Sequence, residues 1–208
     1  LMIIDQRQNM FFGTKRQMKS VTAAECGAIG VWRALASGDR AGGIIFNDRE
    51  IATVRPQRSE ANAMIILGHI VRMNQALKVD STQEPNPNAL NNALRRAAQI
   101  AKHDVLIVIA SDMAGVDADS ARLVAQMAEH NDVPTRMTHD HSRLDALSNP
   151  LNVADGTQQT EVNFTDKTTR NHIAADFKQE EQQLEHYLRR LTAPMLMISN
   201  GEDTVTQL

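Results

Sequence analysis

Six consecutive apolar residues, Val105-Leu106-Ile107-Val108-Ile109-Ala110, stop abruptly at Ser111-Asp112. A strand with one wetted face alternates apolar and polar residues, and this run does not alternate. It suits a central parallel strand with helices over both faces. Parallel neighbours cannot be joined by a tight turn and need a long crossover, usually helical. The run therefore predicts an α/β fold in which 104–110 is the most buried strand.

The rest of the chain can be read around that strand. Leu1 to Ile4 is a short apolar strand ending at Asp5. Thr14 and Gln17 have capping-box spacing. Met18, Val21, Glu25, Ala28, Ile29, Trp32 and Leu35 then recur at helical intervals up to Gly38. Residues 41–46 and 50–55 read as two strands around the turn Asn47-Asp48-Arg49, an antiparallel hairpin at a sheet edge. Ser59 caps a helix carrying Ala63, Met64, Leu67, Ile70 and Val71. A polar loop over 80–88 leads to a helix through Leu90, Ala93, Leu94, Ala97 and Ile100. Further helices are expected at about 117–130 and 168–191, strands at 132–138 and 195–199, and a hairpin from 151–154 and 160–164 around Asp155-Gly156. The fold class is α/β: a three-layer, doubly wound, mostly parallel, Rossmann-like sheet with an antiparallel edge hairpin. The chain reads as a single domain over 1–208, a fragment lacking an N-terminal region. Its 151–208 portion (hairpin, long helix and last strand) is expected to pack on the same domain.

In such sheets ligands bind beyond the carboxyl ends of the strands. Asp5 and Asp112 both fall there, and this shared position is the main functional clue from the residues alone. A formal net charge of −3 argues against binding nucleic acid through bulk charge. One cysteine, Cys26, excludes an intrachain disulfide and favours a reducing compartment. No segment is apolar for long enough to cross a membrane, so no membrane contact is expected from this segment. The location read from these features is cytoplasmic. Cys26 reads as an inert, semi-buried residue, Lys178 to Glu185 as a solvated helix face, and His139-Asp140-His141 as a solvated strand end rather than a metal cluster.

Several segments together resemble a known family. Asp5-Gln6-Arg7-Gln8-Asn9-Met10-Phe11-Phe12-Gly13-Thr14 is similar to the first strand and loop of von Willebrand factor A domains, where the pattern is Asp-x-Ser-x-Ser. Gly38 to Asp48 resembles their second-strand signature. Arg55-Pro56-Gln57-Arg58, Ile107 to Asp112 and His139-Asp140 fit as well. The combination resembles the bacterial family called domain of unknown function 58, across nearly the whole chain. That resemblance implies a von Willebrand factor A-like domain, a protein partner of the MoxR-type AAA+ ATPase class, and a role in assembling or activating other proteins.

The same resemblance implies a metal-ion-dependent adhesion site, in which carboxylates and hydroxyls from three loops hold a hard divalent ion, usually Mg²⁺. Here Asp5 and Asp112 fill the two Asp places, Arg7 and Asn9 replace the serines, and Asn88 stands in the threonine place. Arginine offers only donors. Two unit charges ~4 Å apart repel by roughly 4 kcal/mol at an effective dielectric of about 20, and a divalent ion doubles that to about 8. Arg7 and a metal are therefore not expected to share the site. Either Arg7 swings into solvent or its guanidinium takes the cation's place between the carboxylates. The partner-binding residues read from the sequence are Asp5, Arg7, Asn9, Asn88 and Asp112. No catalytic residue, no cofactor and no metal are expected; a bound Mg²⁺ would draw on Asp5, Asn9 and Asp112.

The function expected is thus a non-enzymatic protein-binding scaffold with a degenerate adhesion site. The alternative is a haloacid dehalogenase-like or other Asp-dependent hydrolase. That chemistry wants a second Asp two residues after the first as acid and base, and Arg7 stands there. A dinucleotide-binding enzyme needs a Gly-x-Gly-x-x-Gly loop after the first strand, and the loop after Ile4 has no such glycines.

Overall fold

Alternation within the first two strands decides the layering. In β1 (Met2–Asp5) and β2 (Ala41–Phe46) every residue is buried, and successive side chains enter opposite cores. Ile3, Ile44 and Phe46 pack with Leu90, Leu94, Ile109 and Leu123 in one cluster. Met2, Ile4 and Ile45 pack with Val31, Ala63, Ile66 and Ile70 in the other. A sheet with apolar side chains on both faces needs helices on both. The first cluster lies under α3 (Ala89–Ile100) and α4 (Ala118–Ala128), the second under α1 (Lys19–Ala36) and α2 (Glu60–Gln75). The computed structural model describes residues 1–13, 16–79, 81, 82, 84–139, 151–154, 159–162 and 195–208.

The remaining strands are β3 (Ile51–Gln57), β4 (Val108–Ser111), β5 (Thr135–His139), β6 (Leu151–Ala154), β7 (Gln159–Val162) and β8 (Met195–Ser199), with a final turn of helix, α5 (Thr204–Gln207). Six strands form one sheet in the order β3-β2-β1-β4-β5-β8. All its pairings are parallel except β2 with β3, the expected edge hairpin. β6 and β7 pair antiparallel as a separate two-stranded sheet. Ser59 caps α2 by accepting from the Asn62 amide, as its position implies.

Four sequence expectations are corrected. The run at 105–110 is not the most buried strand: β4 begins at Val108, Leu106 forms one isolated bridge to Asp132, and Leu106 is 57% exposed. Ile107, Ile109 and Ala110 are fully buried, so only part of the run has cover on both faces. The first helix starts at Lys19 rather than at a Thr14 capping box, and Met18 precedes it without a side-chain cap. Gln17 donates instead to Thr22, Glu25 and Thr204, while Thr14 lies outside the described residues.

The buried face of α1 is also rotated from the apolar stripe. It consists of Lys19, Ser20, Thr22, Ala23, Cys26, Gly27 and Val31, while Trp32 is 41% exposed. The reason is close approach. A Cβ on Gly27 would come 2.3 Å from Ile4 Cδ1, and one on Gly30 would come 2.7 Å from Met2 Cε. The helix lies on β1 through its small side chains, which hydrophobic periodicity undervalues. Cys26 is accordingly fully buried rather than semi-buried. The expected long helix at 168–191, with its charged stretch from Lys178 to Glu185, lies outside the described residues, as do Asp140, His141 and the turn Asp155-Gly156.

Candidate functional site

The chain leaves β1 toward β2 on one side and returns through β4 on the other, so β1 and β4 flank the point where strand order reverses. Their carboxyl ends diverge into a crevice there, the usual ligand position in open α/β sheets. Asp5 is the last residue of β1. Ile4 is paired with Ala110, which brings Ser111 and Asp112 level with the end of β1.

Asp5 is fully buried and Arg7 is 5% exposed. The Arg7 guanidinium grips the Asp5 carboxylate side-on: Nη2 lies 2.7 Å from Oδ2, and Nε lies 3.0 Å from Oδ1 and 3.1 Å from Oδ2. The Arg7 backbone amide donates to Oδ1 at 3.0 Å, and Ser111 Oγ donates to Oδ2 at 2.6 Å. Arg7 Nη1 donates to the Ala114 carbonyl at 3.0 Å, and the guanidinium lies over the Phe46 ring, 5.6 Å from its centroid. Burial alone would make this guanidinium easier to deprotonate. The Asp5 charge and hydrogen bond, then the charges of Asp112 and Asp48, reverse that and hold Arg7 above its ordinary range. The Ala114 carbonyl reaches Arg7 because the chain turns sharply after β4. Met113 there has φ +56° and Gly115 φ +77°. A left-handed conformation at a buried methionine costs energy, and such strain concentrates at functional sites.

Asp112 has its own cation. Lys19 Nζ, from the first residue of α1, lies 2.5 Å from Asp112 Oδ2, and Lys19 is only 2% exposed. Asn9 Nδ2 donates to both Asp112 oxygens at 3.1 and 3.0 Å, and the Ala114 amide donates to Oδ1 at 3.0 Å. Arg7 Nη2 stands 3.8 Å from Oδ1, so the guanidinium also faces this second carboxylate. Burial pushes the Asp112 pKa up; the charges of Lys19 and Arg7, with the Lys19 and Ala114 hydrogen bonds, bring it below the usual carboxylate value.

Four of the five residues singled out from the sequence therefore meet at this crevice: Asp5, Arg7, Asn9 and Asp112. Asn88 does not. It is exposed at the start of α3, its amide donates to Asn86 Oδ1, and its side chain makes no cap bond. Asn91, one turn further along, faces inward and donates to Asp117, the N-cap of α4, while accepting from Ser120 Oγ. The loop before α3 is tied instead through Asp48, which accepts from the Gln8 and Asn86 amides. Sequence reasoning missed Lys19. Its place in the first turn of α1, where a cation opposes the macrodipole, emerges only with the observed helix start.

A divalent cation in the crevice would need oxygen ligands with free lone pairs and no neighbouring cation. All four oxygens of Asp5 and Asp112 already accept hydrogen bonds, and two cationic side chains converge on them. The residues in this arrangement do not fit a divalent ion. Among the described residues, no group of three or more His, Cys, Asp or Glu side chains is placed to hold one.

Residues 1–183 match the family described as protein of unknown function DUF58. The chain belongs to the DUF58 family. Its mostly parallel α/β fold recurs in solved structures. The conserved hypothetical protein BatB from Bacteroides thetaiotaomicron is similar over 99% of this chain and 91% of its own, at 11% identity and TM-score 0.59. An aerotolerance-related membrane protein from Bacteroides fragilis NCTC 9343 matches over 99% and 92%, at 13% identity and TM-score 0.55. The SpRpn10 VWA domain matches over 99% and 89%, at 10% identity and TM-score 0.49. No curated protein resembles the sequence closely enough to count as a match.

These neighbours correct the cytoplasmic expectation. A protein sharing the fold of this DUF58 chain is a membrane protein, so neither the lone cysteine nor the domain assigns a compartment. Among the described residues no helix is long and apolar enough to cross a membrane.

Proposed function

We propose that this DUF58 chain is a non-enzymatic protein-binding module that docks its partner on the rim of loops around the carboxyl ends of β1 and β4, with a degenerate adhesion site beneath that rim. The observation that carries the reading is that both carboxylates at the strand switch point are saturated by the chain's own donors. That saturation favours a binding role over one as nucleophile or base. A hydrolase of the haloacid dehalogenase type would need Asp5 open to substrate, and Asp5 is fully buried under Arg7. The rim above it offers exposed Asn88, Ala114 and Gly115, on loops fixed by a rigid sheet. The family resemblance makes a MoxR-type AAA+ ATPase the partner to test.

Interferometry with the full-length protein and the purified MoxR-type ATPase of the same organism tests this. Asn88→Lys with Ala114→Glu, both exposed, should weaken binding by about tenfold or more, roughly 1.4 kcal/mol, without lowering the melting temperature. Unchanged affinity, with loss on substitution at the opposite end of the sheet, would refute the docking face. Hydrolysis of p-nitrophenyl phosphate that is abolished by Asp5→Asn would refute the non-enzymatic reading.

A further inference from the structure

Lys19 is in an unfavourable place by two independent measures. A lysine is almost never fully buried unless paired. A cation at a helix N-terminus also opposes the macrodipole. Lys19 is 2% exposed and is the first residue of an 18-residue helix. What offsets both costs is the Asp112 carboxylate at 2.5 Å. The crevice as a whole is then balanced: the two negative charges of Asp5 and Asp112 face the two positive charges of Arg7 and Lys19. Each cation lies near an aromatic face, Arg7 over Phe46 and Lys19 6.0 Å from the centroid of Phe12, which favours keeping charge away from water.

We propose that Arg7 and Lys19 together form a built-in dication that takes the place of a divalent metal at the carboxyl ends of β1 and β4, so that docking at this face is independent of divalent ions. This rests on the docking reading above for its consequence, but not for its chemistry. The two cations divide the work. Arg7, anchored on the Ala114 carbonyl, binds Asp5 and reaches toward Asp112. Lys19 binds Asp112 and thereby ties the start of α1 to the loop after β4. A metal would leave a coordination position for a carboxylate from the partner. Two side-chain cations whose donors are directed inward leave none, so the partner is recognised by the loop rim and not by an acidic residue completing a metal shell.

The test uses Mg²⁺ and Mn²⁺ alone as probes. The wild-type protein should give no binding heat with Mg²⁺ and the same melting temperature in 10 mM Mg²⁺ as in EDTA. The double variant Arg7→Ser with Lys19→Ser exposes two uncompensated carboxylates beside Ser111 and Asn9. It should melt lower in EDTA and regain about 3–5 °C in excess Mg²⁺, as expected for a ligand at roughly ten times its dissociation constant. If the double variant does not fold, Mn²⁺-induced water relaxation with the wild-type protein decides alone. Enhancement in the wild type that Asp112→Asn abolishes would overturn the proposal, as would a folded double variant that ignores Mg²⁺. Failure of this arm leaves the docking reading standing, because ATPase affinity in Mg²⁺ and in EDTA is measured separately.

Discussion

Replacing Lys19 by Met removes a charge while keeping a flexible side chain of similar volume, so the effect is electrostatic rather than a cavity. At the 2.5 Å separation of Lys19 and Asp112 the gross Coulomb attraction is about 7 kcal/mol at an effective dielectric of about 20. Desolvation of the ammonium cancels several kcal/mol of that. In the variant, Asp112 keeps the Asn9 and Ala114 hydrogen bonds and Arg7 at 3.8 Å. The expected loss is therefore about 3 kcal/mol, the low end of the ~3–5 kcal/mol seen when one partner of a buried pair is removed. For a chain of this size that lowers the melting temperature by about 6–12 °C. Urea denaturation should show a lower midpoint at unchanged slope. The pH dependence has a definite sign. The Asp112 pKa is depressed in the native state, so its contribution is present above the unfolded value of about 3.9 and is lost as pH falls through the native value. The gap between wild type and Lys19→Met should be full at pH 7 and narrow progressively as pH falls below about 5. A loss under about 0.5 kcal/mol, or a gap of equal size at pH 7 and pH 3.5, would refute the charge argument.

Two further outcomes follow from the packing. Gly27→Ala places a methyl group 2.3 Å from Ile4 Cδ1 and should cost about 1–3 kcal/mol, partly recovered by Ile4→Val, as read by thermal melts. Asp117→Ala removes the α4 cap and the Asn91 link to α3, and should cost about 1–2 kcal/mol at pH 7. The Asp117 pKa is held low chiefly by the Ser120 amide, so this deficit too should shrink in acid, and an undiminished deficit at pH 3.5 would count against the capping account.

The sheet was legible because strand burial leaves a local record. Unbroken apolar runs at Ile3, Ile44 and Ile107 mark the strands, and the short turn after Phe46 marks the antiparallel edge. The carboxyl-end position of Asp5 and Asp112 followed from where those runs stop. What sequence could not convey is which part of an element is covered. Leu106 is as apolar as Ile107 yet exposed. The α1 face was misplaced because contact runs through Gly27 and Gly30, whose value lies in what they leave out. Arg7 was readable since it sits two residues from its carboxylate. Lys19 was not, because its partner is 93 positions away and only the crossover of α1 brings them together. Asn88 was assigned from a family pattern, and the helix that starts there turns Asn91 inward instead.

The decisive question is which end of the sheet meets the partner. Benzoylphenylalanine placed at Asn88 or Ala114, beside the crevice, and at Lys102 or Glu129, at the opposite end of the strands, allows photo-cross-linking by the full-length protein in its own cells. Mass spectrometry should identify one and the same protein joined to positions 88 and 114, in equal yield with and without EDTA in permeabilised cells, and no adduct at 102 or 129. Adducts confined to 102 and 129, or adducts at 88 and 114 that vanish in EDTA, would contradict it.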